Sequence, residues 1–295
     1  MTTTKGGWLT EERKRNLKRS WLKFGSNPLS VLGLVSVLLV VFLAVFSPWV
    51  APHPESWAKW VDFKNALLAP SWDHPFGTDV FGRDILSRVF FGFRYDLLMA
   101  VSILVLVVPL GTVIGLIAGY YRGSLLDTVI MRITDIFLAI PSIVLALAIC
   151  AMLEPTLFNS MMAVSVLWWP WYTRLAYGIA SSLKNEYFVQ AAELTGASTP
   201  HILFREILPN CISPIFTKMT LDVGWVILIG STLSFVGLGA QEPIPALGTM
   251  VAAGTKYMPD YWWMTIFPAI AIAFTILGFN LLGDGLRDLL AVEEI

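Results

Sequence analysis

Six apolar runs limit what this chain can fold into. They cover residues 30–50 and then, in turn, about Tyr95 to Tyr121, Leu125 to Leu153, Phe158 to Ile179, Ile212 to Leu238 and Tyr261 to Leu282. A run of about 20 such residues is the length of a helix that crosses a bilayer. Of the 295 residues, 56% are hydrophobic and 14% charged, whereas a soluble domain carries about 25% charged residues. That balance excludes a pair of soluble domains, a disordered chain and a disulfide-rich secreted scaffold. The formal net charge of −1 offers no electrostatic footprint for nucleic acid. Cys150 and Cys211 fall in or beside apolar stretches and read as buried free thiols.

The predicted class is an all-α integral membrane protein with six transmembrane helices. Residues 1–29 form a basic arm, with Lys5, Arg13, Lys14, Arg15, Lys18, Arg19 and Lys23 against Glu11 and Glu12. A signal peptide also begins this way. The run over 30–50 is long enough to span, however, and Ser47-Pro48-Trp49 stands where a small-residue cleavage site would be. The positive-inside rule then places the arm in the cytoplasm. Thr10 can cap a helix whose Leu17, Trp21 and Phe24 form an apolar stripe, suited to the membrane surface. Residues 51–92 are polar and proline-punctuated, and belong outside. Residues 93–290 form the five-helix core, and 291–295 a cytoplasmic tail.

Within the core, Gly111, Gly115 and Gly119 recur every fourth residue and predict a smooth helix-packing face. Pro141 predicts a kink in the third run. Trp168-Trp169-Pro170-Trp171-Tyr172 predicts a kinked helix near an interface, and Tyr261-Trp262-Trp263 a headgroup-level cluster.

The motifs of catalysis are missing. Gly254-Thr255-Lys256 lacks the residues of a phosphate-cradling loop, and no nucleophile elbow or His-Glu-x-x-His occurs. His53, His74 and His201 are widely separated in sequence, so no metal site is expected and no catalytic residue is assigned. Lys218 and Asp222 stand four apart in the fifth run and can pair along one helix face. Ionisable groups at membrane depth are candidates for a solute pathway, although Lys218 could instead snorkel to the cytoplasmic interface. A secondary transporter driven by an ion gradient is the alternative reading; it calls for a denser set of intramembrane charges than this chain has.

Residues 181–209 interrupt the apolar pattern on the cytoplasmic side. Tyr187 to Thr195 reads as a short helix that Gly196 can end in a left-handed conformation. Ser198 or Thr199 can cap a second helix, with Pro200 in its first turn. The product is a helix–Gly–helix plug fitted to a cleft on a partner.

Gln190-Ala191-Ala192, Gly196 and Leu208-Pro209 resemble the EAA loop of permease subunits of ABC importers. Gln190 stands where that loop usually has Glu, and Glu206 where many members have an apolar residue. His74 to Asp79, with Gly82-Arg83-Asp84 and Ser87-Arg88, resembles the outer segment of the C-type subunit of dipeptide, oligopeptide and nickel permeases. Asp135 with Ile140-Pro141, Gly237-Leu238-Gly239-Ala240-Gln241, and Asn280 with Gly283-Asp284-Gly285-Leu286-Arg287-Asp288 extend the resemblance from about Asn27 to Leu290.

The resemblance implies the type I importer permease fold with an extra N-terminal span. It implies a homologous second permease subunit, two ABC ATPase subunits that bind ATP and Mg, and an extracytoplasmic substrate-binding protein. No cofactor is bound by this chain on that reading. The ATPase-coupling residues would be Tyr187, Gln190, Ala191, Ala192, Glu193, Gly196, Ala197, Arg205, Leu208 and Pro209. The outer-loop motif would be Gly77, Thr78, Asp79, Gly82, Arg83 and Asp84, and the pathway would pass Lys218 and Asp222.

Overall fold

The computed structural model describes residues 21–290 except 23 and 58. The Thr10 cap, the Leu17 position of the surface stripe and the tail 291–295 lie outside the described residues. Trp21 and Phe24, from the other end of that stripe, stack at 5.6 Å, and Phe24 is buried.

The described residues form helices and turns, with one isolated β-bridge between Thr78 and Asp84. The helices are α1 (Pro28–Val50), α2 (Ile85–Tyr120), α3 (Leu125–Ala139), α4 (Ser142–Cys150), α5 (Leu157–Leu183), α6 (Tyr187–Leu194), α7 (Thr199–Phe235), α8 (Leu247–Thr255) and α9 (Trp263–Leu290). Four of them, α1, α2, α7 and α9, are long and apolar enough to cross a membrane. The pair α3 and α4 makes a fifth crossing if taken together, bent by 86°. The predicted kink at Pro141 is therefore a full break. Ile140 precedes the proline and is extended (φ −93°, ψ 130°), the conformation that a following proline ring favours.

The remaining expected span is α5. Its 27 residues reach about 40 Å, but its Trp, Tyr, Pro and Arg residues make it less apolar than the others. Packing fixes its depth. A Cβ on Gly111 would lie 2.5 Å from Trp169 O, one on Gly115 2.8 Å from Ala176 Cβ, and one on Gly119 2.7 Å from Ala180 Cβ. The glycine face meets α5 as expected, and the rising residue numbers show that α2 and α5 run parallel. Two parallel neighbours require the chain between them to return across the bundle, which is the work of α3 and α4.

A second small-residue seam joins the two ends of the chain. Gly285 faces Ser30, Gly33 faces the Leu281–Leu282 backbone, and Gly278 faces Ser36. Those pairings run in opposite directions, so α1 and α9 are antiparallel. Asn27, which caps α1 through Leu29 N, therefore lies at the same end of the bundle as Leu290.

Other boundaries differ from expectation. Asp84 caps α2 by accepting from Ser87 N at 2.7 Å, so α2 starts within the segment expected to lie outside. The stretch between the fifth and sixth apolar runs contains α8. Cys150 and Cys211 are free and buried.

Candidate functional site

The segment between α5 and α7 is a compact hairpin. Helix α6 ends in a full Schellman closure: Ala197 N donates to Ala192 O and Gly196 N to Glu193 O, each at 3.0 Å. Gly196 takes φ +80°, the left-handed conformation that the sequence predicted. Ser198 holds the next cap position, but its side chain makes no capping bond. From Thr199 the chain runs without a break into the membrane helix, through a π-helical stretch over Ile202–Ile207. There Leu208 N donates to Leu203 O, five residues back, just before Pro209, which has no N–H to donate. The expected second helix of the plug is thus the Thr199 end of α7.

Of the residues assigned to coupling, Tyr187, Gln190, Ala191, Gly196, Arg205 and Pro209 are exposed. Ala192, Ala197 and Leu208 pack instead against the main core around the fully buried Val189. Glu193 turns back to the bundle, and its Oε1 accepts from Tyr120 Oη, at the end of α2, at 2.8 Å. Gln190 closes on its own hairpin through Asn185 O. Sequence reasoning missed the apolar members of the exposed face: Leu194 is 90% exposed beside Tyr187 at 87%, and Phe188 and Phe204 are also exposed. Their signal was present as large apolar side chains in a polar segment.

The outer motif is arranged differently. Gly77 and Gly82 take φ +73° and +76°, turning the chain tightly around Asp79. Asp79 Oδ1 accepts from Phe81 N and Arg83 N, and its Oδ2 pairs with Arg83 Nε at 2.7 Å. Arg83 Nη1 and Arg88 Nη2 both reach Glu242, at 2.8 and 3.1 Å, tying the segment to the loop after α7. Thr78 donates to Asn65 O and accepts from Leu68 N. Thr78, Asp79, Arg83 and Asp84 are all buried.

Two of the three histidines come together, against expectation. The rings of His53 and His74 lie 4.6 Å apart, and His74 Nδ1 is 3.0 Å from Asp84 Oδ1. His53, His74 and Asp84 each place a ligand atom within 4.8 Å of the others, a spacing that could hold a metal ion. The chain folds 51–92 back on the start of α2, which their separation in sequence conceals.

Lys218 and Asp222 pair as expected, at 3.1 Å. They stand near the middle of the helical stretch Leu208–Phe235. Lys218 reaches forward to Asp222, away from the Leu208 end. Trp168 Nε1, on α5, donates to Asp222 Oδ2 at 3.1 Å. Lys218 Nζ lies 5.4 Å from the ring centroids of both Trp171 and Tyr172. The aromatic cluster expected near an interface thus sits halfway along α5, around this ion pair. Asp96 on α2 was not singled out from sequence, yet it is buried and its Oδ2 has no hydrogen-bond partner among the described residues.

Residues 111–292 match the family described as binding-protein-dependent transport system inner membrane component. Residues 16–70 match the N-terminal TM domain of oligopeptide transport permease C. The chain is 42% identical over 280 residues to the probable D,D-dipeptide transport system permease protein of Escherichia coli (strain K12), covering 95% of this chain and 92% of that one. It is 40% identical to the di/tripeptide transport system permease protein of Pseudomonas aeruginosa (strain UCBPP-PA14), over 93% of this chain and 91% of the relative. Identity to the oligopeptide transport system permease protein of Bacillus subtilis (strain 168) is 37%, over 92% and 88%.

Proposed function

The chain belongs to the family of binding-protein-dependent transport system inner membrane components, and on that premise we propose that it forms half of the pathway by which an ATP-driven importer moves short peptides inward. A homologous permease supplies the other half. Two ABC ATPase subunits bind ATP and Mg beneath, and a binding protein delivers substrate from outside. Six crossings, with α5 among them, leave both termini in the cytoplasm, 1–29 as a basic arm and 291–295 as a tail. Residues 30–50 make the first crossing, 51–92 face outside, and 93–290 are the core.

The observation that carries this reading is the exposed surface of α6 and the start of α7. A soluble surface seldom shows Tyr187, Phe188, Leu194 and Phe204 together unless another protein covers them. Gly196 fixes the angle at which α6 meets α7, and Glu193 holds α6 to the end of α2. When the ATPase dimer closes, the clefts that hold 181–209 move. The motion passes along the unbroken α7 to Lys218 and Asp222, and through Tyr120 to the α2–α5 pair. Access then switches between two packings of the permease subunits.

Co-purification with the ATPases, followed by ATP hydrolysis in lipid with and without the binding protein, tests the reading. Gly196→Val is expected to abolish stimulation while the complex stays intact, because a β-branched residue resists φ +80°. Equal stimulation in wild type and variant would sink the coupling role of this loop. Uptake without any ATPase would favour the gradient-driven alternative.

A further inference from the structure

We propose that the Lys218 ammonium is where the pathway holds the free carboxylate of a peptide in transit, an inference that rests on the peptide-import reading above. Two cavities meet at this residue. One of about 520 Å³ extends to Arg287 near the cytoplasmic end of α9. The other, of about 390 Å³, extends to Trp168 and to Ser142 at the α3–α4 break. Both have Lys218, Asp222 and Trp225 in their walls. Cavities of about 300–1,000 Å³ suit small ligands.

The two charges of the pair are not equivalent. Asp222 is 3% exposed and holds both Lys218 and Trp168. Lys218 has 26% of its side chain exposed, and its bond to Asp222 uses one of an ammonium's three donors. The group available to a solute is therefore a cation, with Arg287 as a second cation in the larger cavity. Its partner in a peptide is the carboxylate. Peptides share their backbone ends and differ in their side chains, so a site that serves a varied class must hold a shared group. Indole walls receive varied side chains without requiring a polar match.

Asp222 serves this role twice. It offsets the cost of placing the ammonium at membrane depth. It also competes for the ammonium, so that a carboxylate is held loosely enough to leave.

The test uses the complete complex, with ATPases and binding protein, in proteoliposomes. Uptake of labelled dialanine and ATP hydrolysis are followed together for wild type, Lys218→Met and Lys218→Arg. Lys218→Met is expected to lower uptake about tenfold or more, the loss of one charge-assisted hydrogen bond to a ligand. Stimulation of hydrolysis should persist, and Lys218→Arg should recover much of the uptake. If Asp222, left alone, prevents assembly of Lys218→Met, the double variant with Asp222→Asn removes the uncompensated charge and should show the same loss. Unchanged uptake overturns the proposal. So does uptake falling together with stimulation, or a failure of arginine to restore it, since each points to an ion pair that only supports the fold. Absence of peptide uptake in wild type would instead overturn the peptide reading itself.

Discussion

The segment before α2, expected outside, and the hairpin between α5 and α7, expected in the cytoplasm, are both polar insertions between helices, yet they distribute their side chains in opposite ways. Outside, Asp79, Arg83, Arg88 and Glu242 neutralise one another, and Thr78 and Asp84 are fully buried in hydrogen bonds. In the hairpin, Tyr187 and Leu194 face away from the bundle, while Glu193 and Lys184 both meet Tyr120 at the end of α2. A segment whose charges are matched, here with the help of Glu242 from the loop after α7, is built to hold a shape. One that leaves aromatic and aliphatic surface uncovered is built to be completed by another molecule.

If that contrast is right, stability and coupling should respond in opposite orders. Arg83→Ala leaves the buried Asp79 with the more distant Arg88, at 3.9 Å, as its cation and should cost about 3 kcal/mol, measured as a fall in the thermal midpoint of the purified subunit complex. Gly196→Ala has room for its methyl group but must hold φ +80°, so about 1–2 kcal/mol is expected. Tyr120→Phe removes one hydrogen bond and should cost about 1 kcal/mol or less, while lowering the coupling of hydrolysis to uptake. Tyr187→Ala should change the midpoint least, within about 0.5 kcal/mol, yet weaken co-purification with the ATPases. A Tyr187 variant as unstable as Arg83→Ala would erase the distinction between the two segments.

The sequence made some of this legible and hid the rest for physical reasons. Six long apolar runs show a helical membrane protein because periodicity is barely needed when lipid is the solvent. Gly111, Gly115 and Gly119 show a packing face because small residues in register have few other uses on such a helix. Gly196 shows the end of α6 because the left-handed turn is a local demand. The hidden features are those that depend on distant partners. Glu242 lies 159 residues from Arg83, and Trp168 lies 54 from Asp222. Nothing local to either end announces the pairing. The same is true of His53 and His74, whose rings the fold brings within 4.6 Å of each other. The π-helical turn before Pro209 was also concealed, since a helix of either type satisfies the local pattern.

The antiparallel seam between α1 and α9 has a consequence in time rather than in space. About 210 residues separate Val50 from Trp263. At roughly 5–20 residues per second of synthesis, α1 enters the bilayer some 10–40 seconds before its neighbour exists. During that interval Ser30, Gly33 and Ser36 face lipid or a transient companion. Helix α1 is thus among the last to complete its packing, and a ribosome that stalls before α9 leaves behind a chain in which the seam of α1 never closes.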